Sequence, residues 1–241
     1  MESPAPSGAP TPGDSALGRI PGVFFSPVRT FEAIARRPTW IAPVVLWLLA
    51  SLAITSIVVP RLDLEKMTRE RFEKSGQTIP PERLEEMVAQ QKKFAPIFGY
   101  LWAAVSAVGI PLLVAVIVWG AFRAFGWDST YKQTLGVTAH AFLPGVLGAL
   151  LLMPLVARVE RVDPSAIGDI LRSNLGFLVE RDSKALHALL GSIDIFTFWT
   201  IALMTVGMAS AAKIRRGPAA AVIVTLWLLY VLGKAGLAAA F

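Results

Sequence analysis

The sequence predicts an all-α fold: a polytopic membrane helical bundle of five transmembrane helices, with amphipathic helices at the membrane interface. Hydrophobic residues make up 54% of the 241-residue chain and charged residues 17%, and the apolar residues come in long blocks rather than at soluble-core spacing. Residues 195–212 and 217–233 form uncharged runs of 18 and 17 residues, each nearly long enough to cross a hydrocarbon layer about 30 Å thick. The turn between them carries three positive charges and no acid, which predicts a cytoplasmic location for it.

The predicted domain organisation is a leader followed by one membrane domain. Residues 1–22 are rich in Pro, Ser, Gly and Ala, which predicts a disordered N-terminal leader. Residues 23–241 form the membrane domain, and its spans are predicted over residues 39–60, 96–122, 133–157, 194–213 and 217–237. The loops over 61–93 and 158–190 combine mixed charges with apolar residues at helical spacing, which predicts amphipathic surface helices.

A short amphipathic helix is predicted just before the first span. Ser26 suits the N-cap, Pro27 suits the first helical position, and Pro38 ends the helix. One predicted face is apolar and consists of Val28, Phe31 and Ala35. We expect this helix to lie in the headgroup plane. The alternative is a docking helix for a cytosolic partner, with the contact residues Phe31, Arg36 and Arg37.

The third span has the least regular sequence of the five. Three small residues recur at intervals of four and allow a neighbouring helix to approach closely: Ala141, Gly145 and Ala149. Because proline has no N–H, Pro144 leaves the carbonyl of His140, one turn earlier, without its usual partner. We therefore expect this span to be bent and buried in the bundle.

Charge placement predicts a cytoplasmic N-terminus and a C-terminus outside. This threading puts 9 Lys and Arg inside and 14 outside, so the raw count opposes it. The outside cations, however, stand in loops of roughly 33 residues beside almost equal numbers of acids. The tight turns at 123–132 and 213–216, together with Arg36 and Arg37, carry the asymmetric positive charge, and they decide the assignment.

The composition argues against several classes of function. The net charge of +6 is explained by basic cytoplasmic turns, and no basic helix with interleaved aromatic residues predicts nucleic-acid binding. The chain has no cysteine and only two histidines, which argues against disulfides and against a metal site. Phosphate-binding glycine loops, His-Glu-x-x-His and a nucleophile-elbow serine are also absent from the sequence. We therefore expect a protein that is not an enzyme and that carries no cofactor.

Ionisable groups within or beside spans are the remaining candidate functional residues. His140 lies about two turns inside the third span; we interpret it as a neutral imidazole bonded to a neighbouring helix, and the alternative is proton or substrate handling. Asp194, at the mouth of the fourth span, is interpreted as a first-turn acid that complements the helix dipole, with a relay role as the alternative. Lys234 is expected to extend toward the headgroups. His187 belongs to a surface helix and carries no predicted chemistry.

Three stretches together resemble the Yip1 family of multispan membrane proteins in its bacterial form. They are residues 25–38, residues 131–135 with 139–144, and residues 194–200 with Gly207, Lys213 and Lys234. The resemblance covers roughly residues 24 to 238 and implies a five-span helical domain with a cytoplasmic N-terminus. Eukaryotic members bind small Rab-type GTPases and one another, but the long charged first loop here departs from their pattern, so a Rab-like partner does not carry over. The family supplies no catalytic residues.

Two functions are therefore predicted from the sequence, and a third function has little support from it. The first is a non-enzymatic scaffold or adaptor in a bacterial inner membrane; its expected partners are membrane lipids, membrane or cytosolic proteins of unknown identity, and a second copy of the chain. The alternative is a small transporter or lipid-handling protein that uses the bent third span and His140 as a gate. An intramembrane hydrolase would need His140 paired with Ser106 or Thr138, and no spacing argument supports such a pair.

Overall fold

The computed structural model describes residues 15–163, 167–180 and 183–240. Over these residues the chain is helical and forms no strand, and five helices are long and apolar enough to cross a membrane. The predicted all-α membrane bundle is thereby confirmed. The leader predicted to be disordered lies partly outside the described residues, which begin at residue 15. Its last four residues, 19–22, are instead helical.

Eleven α-helices follow one another in the described residues. They are α1 (Arg19–Phe25), α2 (Pro27–Arg36), α3 (Ile41–Val58), α4 (Leu64–Lys74), α5 (Pro81–Ala124), α6 (Tyr131–Ala141), α7 (Leu143–Val156), α8 (Ile167–Ile170), α9 (Lys184–Leu190), α10 (Ile195–Ala212) and α11 (Arg216–Ala240). Short 3-10 turns follow α3 at Val59–Arg61 and α8 at Gly176–Leu178. The five spans are α3, α5, α6 with α7, α10 and α11, and each overlaps one of the predicted spans.

The second span belongs to a much longer helix than the bilayer requires. Helix α5 has 44 residues, which at 1.5 Å per residue is about 66 Å, against a hydrocarbon core of about 30 Å. Its first turns are the amphipathic helix predicted before the span, and the two form one continuous helix. Charged residues occupy the part that extends beyond the apolar run.

The third span is interrupted where its proline predicts a bend. Helix α6 ends at Ala141 and α7 begins at Leu143, so the break falls at Phe142, two residues before Pro144. This span is also the most buried of the five, with 44% of its apolar window inside the protein. A buried span can hold a helix break because neighbouring protein, rather than lipid, surrounds the freed backbone groups.

The described residues divide into two compact units. The first comprises residues up to 45 together with 110–144 and 198–230, and it holds α1, α2 and α6. The second comprises the described parts of 46–109, 145–197 and 231–241.

In the first unit, α2 buries its apolar face against α6 and α10. Phe31 and Ile34 are fully buried. A Cβ added to Gly207 would lie 2.8 Å from Phe31 Cδ1, and one added to Gly136 would lie 3.1 Å from Ile34 Cγ2. Both glycines therefore let α2 approach more closely than a larger residue would allow.

In the second unit, the chain after the first span pairs with the chain after the third. The N–H of Val162 donates to the carbonyl of Arg61 at 2.7 Å, and the N–H of Asp63 donates to the carbonyl of Val162 at 3.2 Å. Lys66 Nζ donates to Asp163 at 3.1 Å, and this hydrogen bond raises the pKa of Lys66 above its usual 10.5. Helix α4 is fixed to α5 by the Gln91 amide, which donates to Thr68 Oγ1 at 3.0 Å.

Candidate functional site

Helix α2 is the predicted docking helix, and the structure divides its three candidate residues into two groups. Phe31 is fully buried, so it anchors the helix and is not available to a partner. Arg36 and Arg37 are exposed, as is Arg29. The predicted apolar face is partly wrong: Val28 is 37% exposed, and Thr30, Ala33 and Ile34 are buried with Phe31. The buried face is shifted because Phe31 and Ile34 contact glycines on two different helices.

The segment formed by α1 and α2 packs against the side of the fourth span. Phe31 touches Gly207 of α10, and the Phe24 ring contacts the Trp199 ring edge-on, with centroids 5.4 Å apart. Gly207 and Trp199 are eight residues apart, which is about 12 Å along a helix axis. The segment therefore contacts the span at two levels, and its location in the headgroup plane stays a prediction. The glycines at 136 and 207 open the space into which the segment settles.

Arg19 holds this segment together, although no sequence pattern marks it as a functional residue. Its side chain is only 2% exposed although it is charged. Its guanidinium donates to the carbonyl of Arg37 at 2.7 Å, to Thr39 Oγ1 at 2.8 Å and to the carbonyl of Ala33 at 3.4 Å. The last carbonyls of a helix lack intrahelical partners, and a cation there also complements the helix dipole. Arg19 therefore ties α1 to the end of α2 and to the chain that enters the first span.

Gln133 connects α2 to α6, and it was not predicted as a contact residue from the sequence. Its Oε1 accepts the N–H of Thr130 at 2.9 Å, while Thr130 Oγ1 accepts the N–H of Gln133, which completes a capping box at the start of α6. Its Nε2 donates to the carbonyl of Ala35 in the last turn of α2 at 2.8 Å. A Thr-x-x-Gln pattern before an apolar run indicates the cap, but the bond to Ala35 spans 98 residues and has no local signal.

His140 lies in the first unit and is fully buried. Its Nδ1 lies 2.8 Å from the carbonyl of Gly136, so the bond is within its own helix and not to a neighbouring helix as predicted. Since a carbonyl only accepts, Nδ1 carries the proton and Nε2 presents a lone pair. Nε2 is buried and has no hydrogen-bond partner among the described residues. The Thr138 hydroxyl donates to the carbonyl of Thr134 at 2.8 Å, so its proton is not donated to this ring. Ser106 lies in the second unit, where its Oγ donates to the carbonyl of Ala103 at 3.2 Å.

Asp194 and Lys234 lie in the second unit. One Asp194 carboxylate oxygen accepts the N–H of Thr197 at 2.9 Å and its hydroxyl at 3.3 Å, which caps the fourth span. The Lys234 ammonium is exposed and donates to Ser192 Oγ at 3.3 Å. The structure therefore places both residues near the chain that enters the fourth span, without an ion pair between them in the described residues.

Charge is distributed very unevenly in the first unit. Its described residues contain only two acids, Glu32 and Asp128, against nine cations: Arg19, Arg29, Arg36, Arg37, Arg123, Lys132, Lys213, Arg215 and Arg216. Asp128 is paired with Arg123 at 2.9 Å. Groups of three or more His, Cys, Asp or Glu that could hold a metal ion do not occur in the part of the chain described. The first unit thus carries a large excess of positive charge.

Comparison with known proteins identifies the family. The Yip1 domain model matches residues 22–237. Membrane protein YknW of Bacillus subtilis (strain 168) is 26% identical over 197 residues, which cover 81% of this chain and 79% of that protein. No solved structure matches the chain. Helix α2, the broken third span and the basic turns fall within the matched range, and the chain belongs to the Yip1 domain family.

Proposed function

We propose that this protein is a non-enzymatic membrane scaffold or adaptor, which binds protein partners or lipids through the exposed face of α2. The observation that carries the proposal is the division of this helix into two sides. Phe31 and Ile34 fix one side in the bundle, and Arg29, Arg36 and Arg37 stand exposed on the other. Arg19 and Gln133 hold the ends of the segment, so the three arginines project from a fixed platform.

Rigid presentation favours binding because little side-chain and backbone order has to be gained when the partner arrives. Arginine also suits recognition of carboxylates and phosphates, since its planar guanidinium donates two parallel hydrogen bonds.

The proposed orientation places α2 in the cytoplasm and the C-terminus outside, in the inner membrane of a bacterium. Its support is the excess of cations in the first unit, which contains both tight turns. Reporter tags inserted at Arg215 and after Phe241 are expected on opposite sides of the membrane. Finding both tags on one side would refute the orientation and, with it, the cytoplasmic partner.

Site-specific photo-crosslinking in cells tests the scaffold function. A photoreactive residue at Arg29 or Arg36 is expected to capture a specific protein or lipid, and the same residue at exposed Gln90 on α5 serves as the control. The Arg36→Glu/Arg37→Glu variant should lose the adduct at residue 29. If residues 29 and 36 capture nothing that the control position does not, and affinity capture in detergent recovers no specific partner or second copy, the proposal is wrong.

A second candidate function is favoured by the buried lone pair of His140. A small transporter or lipid-handling protein would use this nitrogen, next to the helix break at Phe142, as a polar site inside a span. Liposomes containing the purified protein should then move protons, ions or labelled lipids, and His140→Leu should abolish the flux, whereas His187→Gln should not. Absence of any flux in the unaltered protein would remove this candidate.

A further inference from the structure

Four cations on the N-terminal segment and at the start of α6 are exposed, and we call them the basic edge: Arg29 and Arg36 on α2, Arg37 directly after it, and Lys132 on α6. None of them has an ion-pair partner among the described residues. The hydrogen bond from Gln133 Nε2 to the carbonyl of Ala35 joins the last turn of α2 to the first turn of α6. Arg36 and Lys132 are the chain neighbours of these two bonded residues, so the two cations stand on backbone segments that the bond joins.

The surroundings of the basic edge leave its charge largely uncompensated. Glu32 is the only acid on α2, and its side chain makes no ion pair within 4 Å with any residue that the structure describes. Asp128, the other acid in the described residues of the first unit, is bonded to Arg123 at 2.9 Å. Four cations held on two stitched helices with so little opposing charge attract a ligand that carries negative charge.

Exposed apolar side chains lie on the same N-terminal segment. Leu17 is 71% exposed, Phe25 is 86% exposed and Val28 is 37% exposed. The segment runs along the fourth span, with the Phe24 ring against the ring of Trp199. A segment that combines exposed apolar side chains with cations and lies against a span has the chemistry of the boundary between acyl chains and headgroups.

We propose that the basic edge binds the phosphate groups of anionic phospholipids in the cytoplasmic leaflet, with Leu17 and Phe25 among the acyl chains. The apolar neighbours favour lipid over an acidic protein segment, because a water-soluble peptide would leave them uncovered. Anionic phospholipid is thus the ligand of one surface of the scaffold, and this assignment rests on the proposed function.

Lipid retention by the purified full-length chain tests the proposal. The protein in mild detergent is exposed to equal amounts of phosphatidylglycerol and phosphatidylcholine, and the bound lipids are counted by native mass spectrometry. We expect a preference for phosphatidylglycerol. The Arg36→Gln/Arg37→Gln/Lys132→Gln variant should reduce this preference at least about tenfold, because each cation beside an anionic lipid surface contributes a several-fold factor.

Two further variants separate charge from folding. Arg71→Gln/Lys74→Gln/Arg83→Gln removes the same charge from exposed positions in the second unit and should leave the preference unchanged. Arg36→Lys/Arg37→Lys keeps the charge and should retain most of it. Equal loss in the control triple variant, or no preference in the unaltered protein, would overturn the proposal; binding of a polyglutamate peptide without lipid preference would assign the edge to acidic proteins instead.

Failure of this proposal and failure of the scaffold function give different results. Protein crosslinks at residues 29 and 36 without a lipid preference would leave the scaffold standing and remove only the lipid assignment. A lipid preference without any captured protein would leave a lipid-binding surface and exclude a protein adaptor.

Discussion

Replacing Gly207 by alanine tests the packing of α2 and α6 against the fourth span. A Cβ at this position would lie closest to Val137 Cγ1, and it would lie 2.8 Å from Phe31 Cδ1 and 3.0 Å from Phe31 Cε1, whereas ordinary contacts begin at 3.4 Å. Both neighbouring side chains would have to move, and both are fully buried, so the surrounding close-packed side chains resist the shift. Overpacking of this kind costs about 1–3 kcal/mol. For a chain of this size that loss lowers the unfolding midpoint by about 2–12 °C.

The assay is thermal unfolding of the purified protein in mild detergent, followed by tryptophan fluorescence. Gly120→Ala in α5 is the matched control, because a Cβ there meets nothing within 4 Å. That variant should keep or raise stability, since alanine favours a helix interior over glycine by about 0.5–1 kcal/mol. If Gly207→Ala and Gly120→Ala behave alike, the close packing of Val137 and Phe31 against the fourth span is not as described.

A double-mutant cycle identifies the group that Gly207→Ala displaces. Phe31→Leu alone should lower stability, because it removes ring atoms from the core. Combined with Gly207→Ala, it should cost less than the sum of the two single losses, with a coupling of about 0.5–3 kcal/mol. Additive losses would show that the alanine methyl disturbs some other neighbour.

Three further predictions follow from single contacts. Arg19→Lys should lower the free energy of unfolding by about 1.5–3 kcal/mol, because an ammonium does not reproduce the forked contacts of the guanidinium; Arg29→Lys on the exposed side of α2 should leave the unfolding midpoint unchanged. Asp194→Ala should cost about 0.5–2 kcal/mol through loss of the N-cap of the fourth span, whereas Asp194→Asn should retain most of it, and equal losses in the two variants would contradict the capping role. The pKa of Lys66, measured by carbon NMR of its Cε, should lie above 10.5, and it should return toward 10.5 in the Asp163→Asn variant. Since folding raises this pKa, the contribution of Lys66 to stability is complete below pH 10.5 and is lost as the pH rises through the pKa of the folded state.

The spans were predictable because each is an uncharged run long enough to cross lipid, and hydropathy alone identifies such runs. The break in the third span was also predictable, since Pro144 removes a backbone donor whatever the surroundings are. The contacts that fix α2 were not predictable: Phe31 and Gly207 are 176 positions apart along the chain, and periodicity says nothing about such pairs.

Arg19 shows the same limit for polar residues. An arginine in a Pro- and Gly-rich leader looks solvated, and only the folded chain brings the carbonyls of Ala33 and Arg37 to its guanidinium. The amphipathic pattern of α2 predicts a buried face but does not show which helices cover that face. Those helices are determined by the space at Gly136 and Gly207, which lie far away in sequence.

The amide of Gln133 constrains which residues evolution can accept at that position. Its oxygen serves the N–H of Thr130 and its nitrogen serves the carbonyl of Ala35, so both halves of the group are in use. Glutamate would still accept the hydrogen bond from Thr130, but it would place a second acceptor oxygen against the Ala35 carbonyl. Lysine could donate to the Ala35 carbonyl, but it has no acceptor for the N–H of Thr130. Among homologues that retain Thr130 and a docked α2, few residue types should therefore occur at position 133. A substitution there should occur together with changes in the last turn of α2.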